Sequence, residues 1–283
     1  MLRFLILVGY TILMMYLQVS GRLNQYINVH YRYLAILSMV ISFVLAMVQL
    51  ILWNKEGAEG TPDHKDHKHH DDHDHGLTKP YQRGIAYLLL ALPLLVGFLF
   101  PTVSLDTSIV EAKGFNFPLS KESVGDPEMK TQYLKPDTSI YFNKSDYDQQ
   151  MKQALAKYIK NDHVEITDEN YLEVMELIYN YPSEFIGKTI TYKGFVFNAE
   201  KDGKTDLFVF RFGIIHCVAD SGVFGLLTHM PEGQKFKNNQ WVEVTGTIQS
   251  DYYAPFKREL PVVAVTKVKT VVEPQNQYVY RSF

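Results

Sequence analysis

Three observations predict the fold class: long apolar runs confined to the part before residue 104, a switch of hydrophobic period near Ile186, and five short alternating stretches beyond it. Together they predict a membrane α-helical module of three transmembrane helices. An α+β soluble domain follows, ending in a small OB-like five-stranded β-barrel. A chain of 283 residues is long enough for both parts. Its formal net charge of −3 lacks the basic excess of a nucleic-acid binder, so no nucleic-acid partner is expected. The single cysteine excludes an intrachain disulfide and a cysteine-based zinc finger.

Residues 1–103 form the membrane module, with spans expected over about 4–19, 33–53 and 84–103. Spanning a bilayer takes about 20 apolar residues, and helices satisfy their own backbone hydrogen bonds in lipid. The first run has Arg3 in front of it and the second carries no charge. The third contains Pro93, which a membrane helix tolerates. A cleaved signal peptide is the competing reading of the first run, with small residues Ser20 and Gly21 after it. Lys55, Lys65, Lys68, Lys79 and Arg83 load the second loop, against Arg22 and Arg32 in the first. That bias predicts a multi-pass cell-membrane protein in contact with lipid, with the N-terminus and second loop cytoplasmic and the C-terminal domain extracellular.

The second loop holds the tract TPDHKDHKHHDDHDHG at 61–76. Its His64, His67, His69, His70, His73 and His75 alternate with Asp63, Asp66, Asp71, Asp72 and Asp74. Imidazole and carboxylate suit Zn²⁺ or another divalent transition metal, so the six histidines with Asp66, Asp71, Asp72 and Asp74 are the candidate ligands. No metal is fixed by the pattern alone. A solvated polar linker and a pH-responsive loop are the alternative readings, since imidazoles titrate near pH 6.5.

Residues 104–144 read as an irregular tether. Helical periodicity then occupies 145–182: Ser145 is a plausible N-cap, and Tyr147, Met151, Leu155 and Tyr158 lie on one stripe. A second stripe runs from Tyr171 to Tyr179, and Pro182 ends it. Residues 183–283 form the OB-like domain, with strands expected over 188–198, 207–212, 214–219, 241–249 and 261–272.

The stretch from Arg211 to Asp220, RFGIIHCVAD, carries the remaining chemistry. On a strand His216 and Asp220 would share a face and Cys217 would point into the core. Arg211, His216, Cys217 and Asp220 are therefore candidate ligand-binding residues, against the plainer reading of a hydrogen-bonded barrel histidine. No Ser-His-Asp order, phosphate loop or HExxH occurs, so no enzyme is expected. An external redox protein using Cys217 would need an accessible thiol.

GKTITYKGFVF, RFGIIHCVADSG, WVEVTGTI and VEPQNQYVY, with the spans and the charged loop, resemble the YcgQ-like membrane proteins of Gram-positive bacteria. The resemblance covers most of the chain. It implies one subunit of a two-component membrane permease, beside a larger multi-span YcgR-like partner. In the family pattern adjacent cysteines commonly occupy the positions of His216 and Cys217, so a dithiol role does not carry over. The expected function is a non-enzymatic accessory subunit whose external domain binds the partner or a ligand. Divalent-metal buffering or sensing by the His/Asp-rich loop is the alternative.

Overall fold

A computed structural model describes residues 2–58, 80–100, 105–108, 110, 144–201, 204–254 and 258–281. The chain divides into two compact units: a helical one of Met1–Leu23 and Tyr31–Val103, and one of Asn24–His30 with Ser104–Phe283.

In the first unit the three apolar runs are helices α1 (Leu2–Val19), α2 (Arg32–Ala58) and α3 (Pro80–Leu99). All three are long and apolar enough to cross a membrane. Pro93 lies inside α3, which helical backbone in lipid accommodates. Contacts between α1 and α3 rise in step along both. Arg3 Nε donates to Tyr87 Oη at 2.9 Å, and Tyr10 Oη donates to the Leu90 carbonyl at 2.8 Å. Leu94 packs onto Gly9 and Leu13 onto Gly97, where a Cβ would come within 2.8 and 2.9 Å of those side chains. The two helices are therefore parallel, and small residues let them approach. On α2, Ala35 and Ala46 are buried, with Met39 and Ser42 half-buried on the same heptad stripe. Leu37, Val44 and Trp53 on its other sides are exposed apolar surface. Exposed aliphatic rows of this kind are what a lipid-facing helix presents.

The second unit begins with α4 (Lys144–Tyr158), which buries Met151 and Ala154 and half-buries Tyr147, Leu155 and Tyr158. The expected stripe is thus a core face. Helix α5 (Tyr171–Asn180) buries Tyr171, Leu172, Val174, Met175, Leu177 and Ile178. Pro182 ends α5 and opens the single turn α6 (Pro182–Phe185), where its missing N–H costs nothing.

Five strands close a barrel: β2 (Thr189–Lys201), β3 (Lys204–Ile214), β4 (Gly222–His229), β5 (Trp241–Tyr253) and β6 (Arg258–Thr270). The chain of pairings is β2–β3, β3–β4, β4–β6, β6–β5 and β5–β2, parallel only between β4 and β6. That order, with its one parallel closure, is the OB arrangement. Two short strands extend it, β1 (His163–Glu165) parallel to β2 and β7 (Tyr278–Tyr280) parallel to β3. Phe195, Phe208, Phe210, Phe212 and Trp241 fill one aromatic cluster, with Phe195 stacked on Phe212 at 5.2 Å. Helix α5 seats on the barrel because Gly213 leaves room for Leu172: a Cβ there would stand 2.6 Å from its Cδ2. Tyr179 Oη fixes the seat by donating to the Gly225 carbonyl at 2.7 Å.

Two expectations need correction. No strand covers 214–219; β3 runs on to Ile214, a turn follows, and the third barrel strand is β4 at Gly222–His229. Gly222–His229 is buried on both faces over most of its length, so period-2 alternation is absent there. The tether expectation also fails at its start. Leu105 N donates to Tyr278 Oη and Thr107 N to Asn239 Oδ1, each at 3.0 Å, and Val110 is buried in the core. Residues 111–143 lie outside the described set.

Candidate functional site

The His/Asp tract at 61–76, with all its candidate ligands, lies outside the described residues. Among the described residues no group of three or more His, Cys, Asp or Glu side chains is placed to hold a metal ion. The four candidates of the RFGIIHCVAD stretch are all described, and they fall into two separate settings.

Arg211 is 1% exposed, the largest fully buried side chain among the described residues. Its Nη1 donates to Asp168 Oδ1 at 2.6 Å and its Nε to the Gln277 carbonyl at 3.1 Å. Nη2 donates to the carbonyls of Asn276 and Tyr278 at 3.2 and 3.4 Å. Tyr171 and Trp241 flank the guanidinium at 5.8 and 5.2 Å, a double cation–π contact. A fork engaged by four oxygens and two rings ties the barrel wall to the 276–278 segment and to the loop before α5.

His216, Cys217 and Asp220 come together through a turn, not through strand alternation. The turn is a 3-10 helix, Val218–Asp220, with Cys217 as its N-cap. Asp220 accepts the His216 N–H through Oδ2 at 2.9 Å and through Oδ1 at 3.1 Å, and the Cys217 N–H through Oδ1 at 3.0 Å. His216 Nδ1 lies 2.8 Å from Asp220 Oδ2. A carboxylate only accepts, so Nδ1 carries the proton and the ring is held in one orientation. Cys217 is half-buried rather than in the core, because its backbone has left the strand by this point. An aspartate-oriented imidazole beside a thiol is a pair of donors, which is fewer than a closed metal site requires.

The same turn holds a piece of chain from far upstream. Asn24–His30, which joins α1 to α2, belongs to the barrel unit. Ile27 pairs antiparallel with Cys217, Asn28 N donates to the His216 carbonyl at 2.9 Å, and Val218 N donates to the Tyr26 carbonyl at 2.8 Å. Asn28 is fully buried, and its Nδ2 donates to the carbonyls of Ile215 at 2.7 Å and Arg281 at 2.9 Å. Arg281 in turn pairs with the buried carboxylate of Glu176, which accepts from Tyr147 Oη at 2.5 Å. Burial pulls the Arg281 pKa below its usual value. Sequence reasoning misses Asn28, because a lone asparagine in a short loop reads as a turn residue.

A separate groove of about 1100 Å³ opens between the far end of the β2–β3 hairpin, β4 and the 230–238 loop. Phe197, Leu227, Met230 and Phe236 supply apolar walls, and His229 and Lys237 line its polar side. The candidate residues Arg211, His216, Cys217 and Asp220 do not line it.

A three-helix membrane unit joined to a closed OB-type barrel defines a membrane-anchored barrel protein. The chain belongs to the YcgQ-like, DUF1980 family. Residues 2–116 match the DUF1980 N-terminal domain and residues 141–281 the DUF1980 C-terminal domain. It is 46% identical over 288 residues to a Streptococcus mutans serotype c protein named "Putative two-component membrane permease complex subunit", with 100% of both chains covered. It is 45% identical, again over the whole of both chains, to the UPF0703 protein YcgQ of Bacillus subtilis. No solved structure matches.

Proposed function

We propose that the protein is a non-enzymatic accessory subunit of a membrane permease complex, with a barrel domain that binds the partner subunit or a ligand outside the cell. The observation that carries this reading is full-length similarity to a protein named as a permease complex subunit. The spans support it: three helices whose outward sides are rows of aliphatic residues are a membrane anchor with surface left for a larger multi-span partner. The groove at Phe197 and Phe236 lies on the face formed by the second and third barrel strands, where OB domains take their ligands. Arg3, Lys55 and Arg83 at one set of helix ends support a cytoplasmic N-terminus and second loop, and hence an extracellular barrel. Purification from native membranes in mild detergent tests the assembly. A multi-span protein should co-purify, and a well-folded lone monomer would count against it.

The second reading is divalent-metal buffering by the cytoplasmic loop, supported by the density of imidazole and carboxylate between residues 61 and 76. A peptide of that segment should take up Zn²⁺ at pH 7.5 and release it below about pH 6, as protons compete for the imidazoles. Replacing all six histidines should abolish uptake, and uptake by the histidine-free peptide would refute the reading.

A further inference from the structure

We propose that Asn24–His30 is a latch: a strap between the first two spans that the barrel domain grips in one state and releases in another, while the barrel stays folded. The strap lies in the connection between α1, which ends at Val19, and α2, which begins at Arg32. It is gripped by polar contacts. Asn28 is its one fully buried residue, and Tyr26 and Val29 are exposed. Little apolar surface therefore resists its departure, which places it among the segments that open well below the free energy of global unfolding. The strap also carries a mark of incomplete satisfaction: Gln25 Oε1 is buried with no hydrogen-bond partner among the described residues. A buried acceptor left unpaired favours an alternative arrangement in which it reaches water or a partner.

The grip has two jaws. One is the stretch Ile215–Val218, held rigid because Asp220 collects the backbone N–H groups of His216 and Cys217. The other is the C-terminal segment: Tyr280 Oη donates to the Asn24 carbonyl at 2.8 Å, and the Arg281 carbonyl accepts from Asn28, on a residue whose side chain is anchored through Glu176 to α5 and, through Tyr147, to α4. Both jaws meet at the Asn28 carboxamide. A shift of the Asp220 turn or of the C-terminal segment moves an acceptor of the Asn28 carboxamide. The latch does not depend on what the complex transports.

The chain's one cysteine provides the test, on the full-length protein in membranes. Ile27 and Cys217 face each other across the bridge, and opposed antiparallel residues stand about 4.5–5.5 Å apart at Cα, within disulfide reach. In an Ile27→Cys variant, copper-phenanthroline and air should close a disulfide between the introduced thiol and Cys217, read as loss of both thiols to a maleimide. Adding Asn28→Ala should slow closure at least tenfold. Unchanged closure would overturn the latch, because the Asn28 carboxamide would then not be what holds the strap. Hydrogen exchange separates a latch from a mere strut. With Asn28→Ala in the otherwise native chain, exchange should rise at 214–218 and 278–281 and stay unchanged across β5 and β6. A rise across β5 and β6, or outright unfolding, would make Asn28 part of the core and overturn the proposal.

Discussion

Asp220 shows how one carboxylate builds a turn from residues that would otherwise extend a strand. It accepts from two backbone N–H groups and orients the His216 ring. Asp220→Ala leaves those partly buried donors without a partner, at a cost of about 1–3 kcal/mol. Thermal unfolding of the variant should show the loss, and Cys217 should react faster with maleimide as its turn loosens. The Glu176–Arg281 pair sits deeper, with the arginine and glutamate side chains only 5% and 4% exposed. Glu176→Ala strands the Arg281 guanidinium in the interior and should cost about 3–5 kcal/mol. Replacing both residues with apolar ones should cost less, because a matched pair that has lost its solvation returns little net energy. Equal losses in the single and double variants would contradict that ranking. Arg211 is legible in the sequence as an unusual residue on a barrel strand, but its employment is not. Its acceptors lie at Asp168 and at 276–278, separations that no local pattern encodes.

Among elements, the helices and four of the five barrel strands are legible for different reasons: Trp241–Tyr253 alternates because its burial is one-sided, while Phe208–Ile214 is buried throughout and is marked by its aromatic and β-branched residues. The α4 stripe and the run from Tyr171 to Tyr179 both face the core as their spacing requires. The strand Gly222–His229 is also covered on both faces, and its two glycines and two leucines leave neither alternation nor a run of β-branched and aromatic residues to mark it. The turn before it looks like strand for the converse reason: Ile214, Ile215 and Val218 are apolar, and only the placement of Asp220 reveals the bend. The helices also set a pH limit. Tyr158 of α4 is pushed up to about 12, chiefly by burial and then by its bond to Glu173. Burial likewise raises Tyr171 and Tyr192. Unfolded tyrosine ionises near pH 10, so the folded state holds these protons where the unfolded chain gives them up. Stability from these groups is complete below about pH 10 and falls as pH rises toward 12. Alkaline titration followed by circular dichroism should show unfolding in that window, with Tyr158→Phe less sensitive. A flat stability profile from about pH 9 to 12 would contradict it.

At the scale of the whole molecule, the three apolar helices follow from composition and length, and the parallel packing of α1 on α3 agrees with a chain that crosses three times. The segment Asn24–His30 is hydrogen-bonded inside the barrel unit. That relation is invisible in the sequence, because Asn28 and its acceptors at 215 and 281 are joined only by the fold. Family membership, the name of the Streptococcus mutans relative and three helices long and apolar enough to span a membrane are what support the proposed reading of a permease subunit. The most direct measurement is the composition of the particle purified from native membranes through a C-terminal tag in mild detergent. A multi-span membrane protein should be present in comparable amount, retained when residues 61–76 are deleted and lost when the barrel domain is removed. A monodisperse, folded chain of 32.7 kDa with no companion would contradict the assignment.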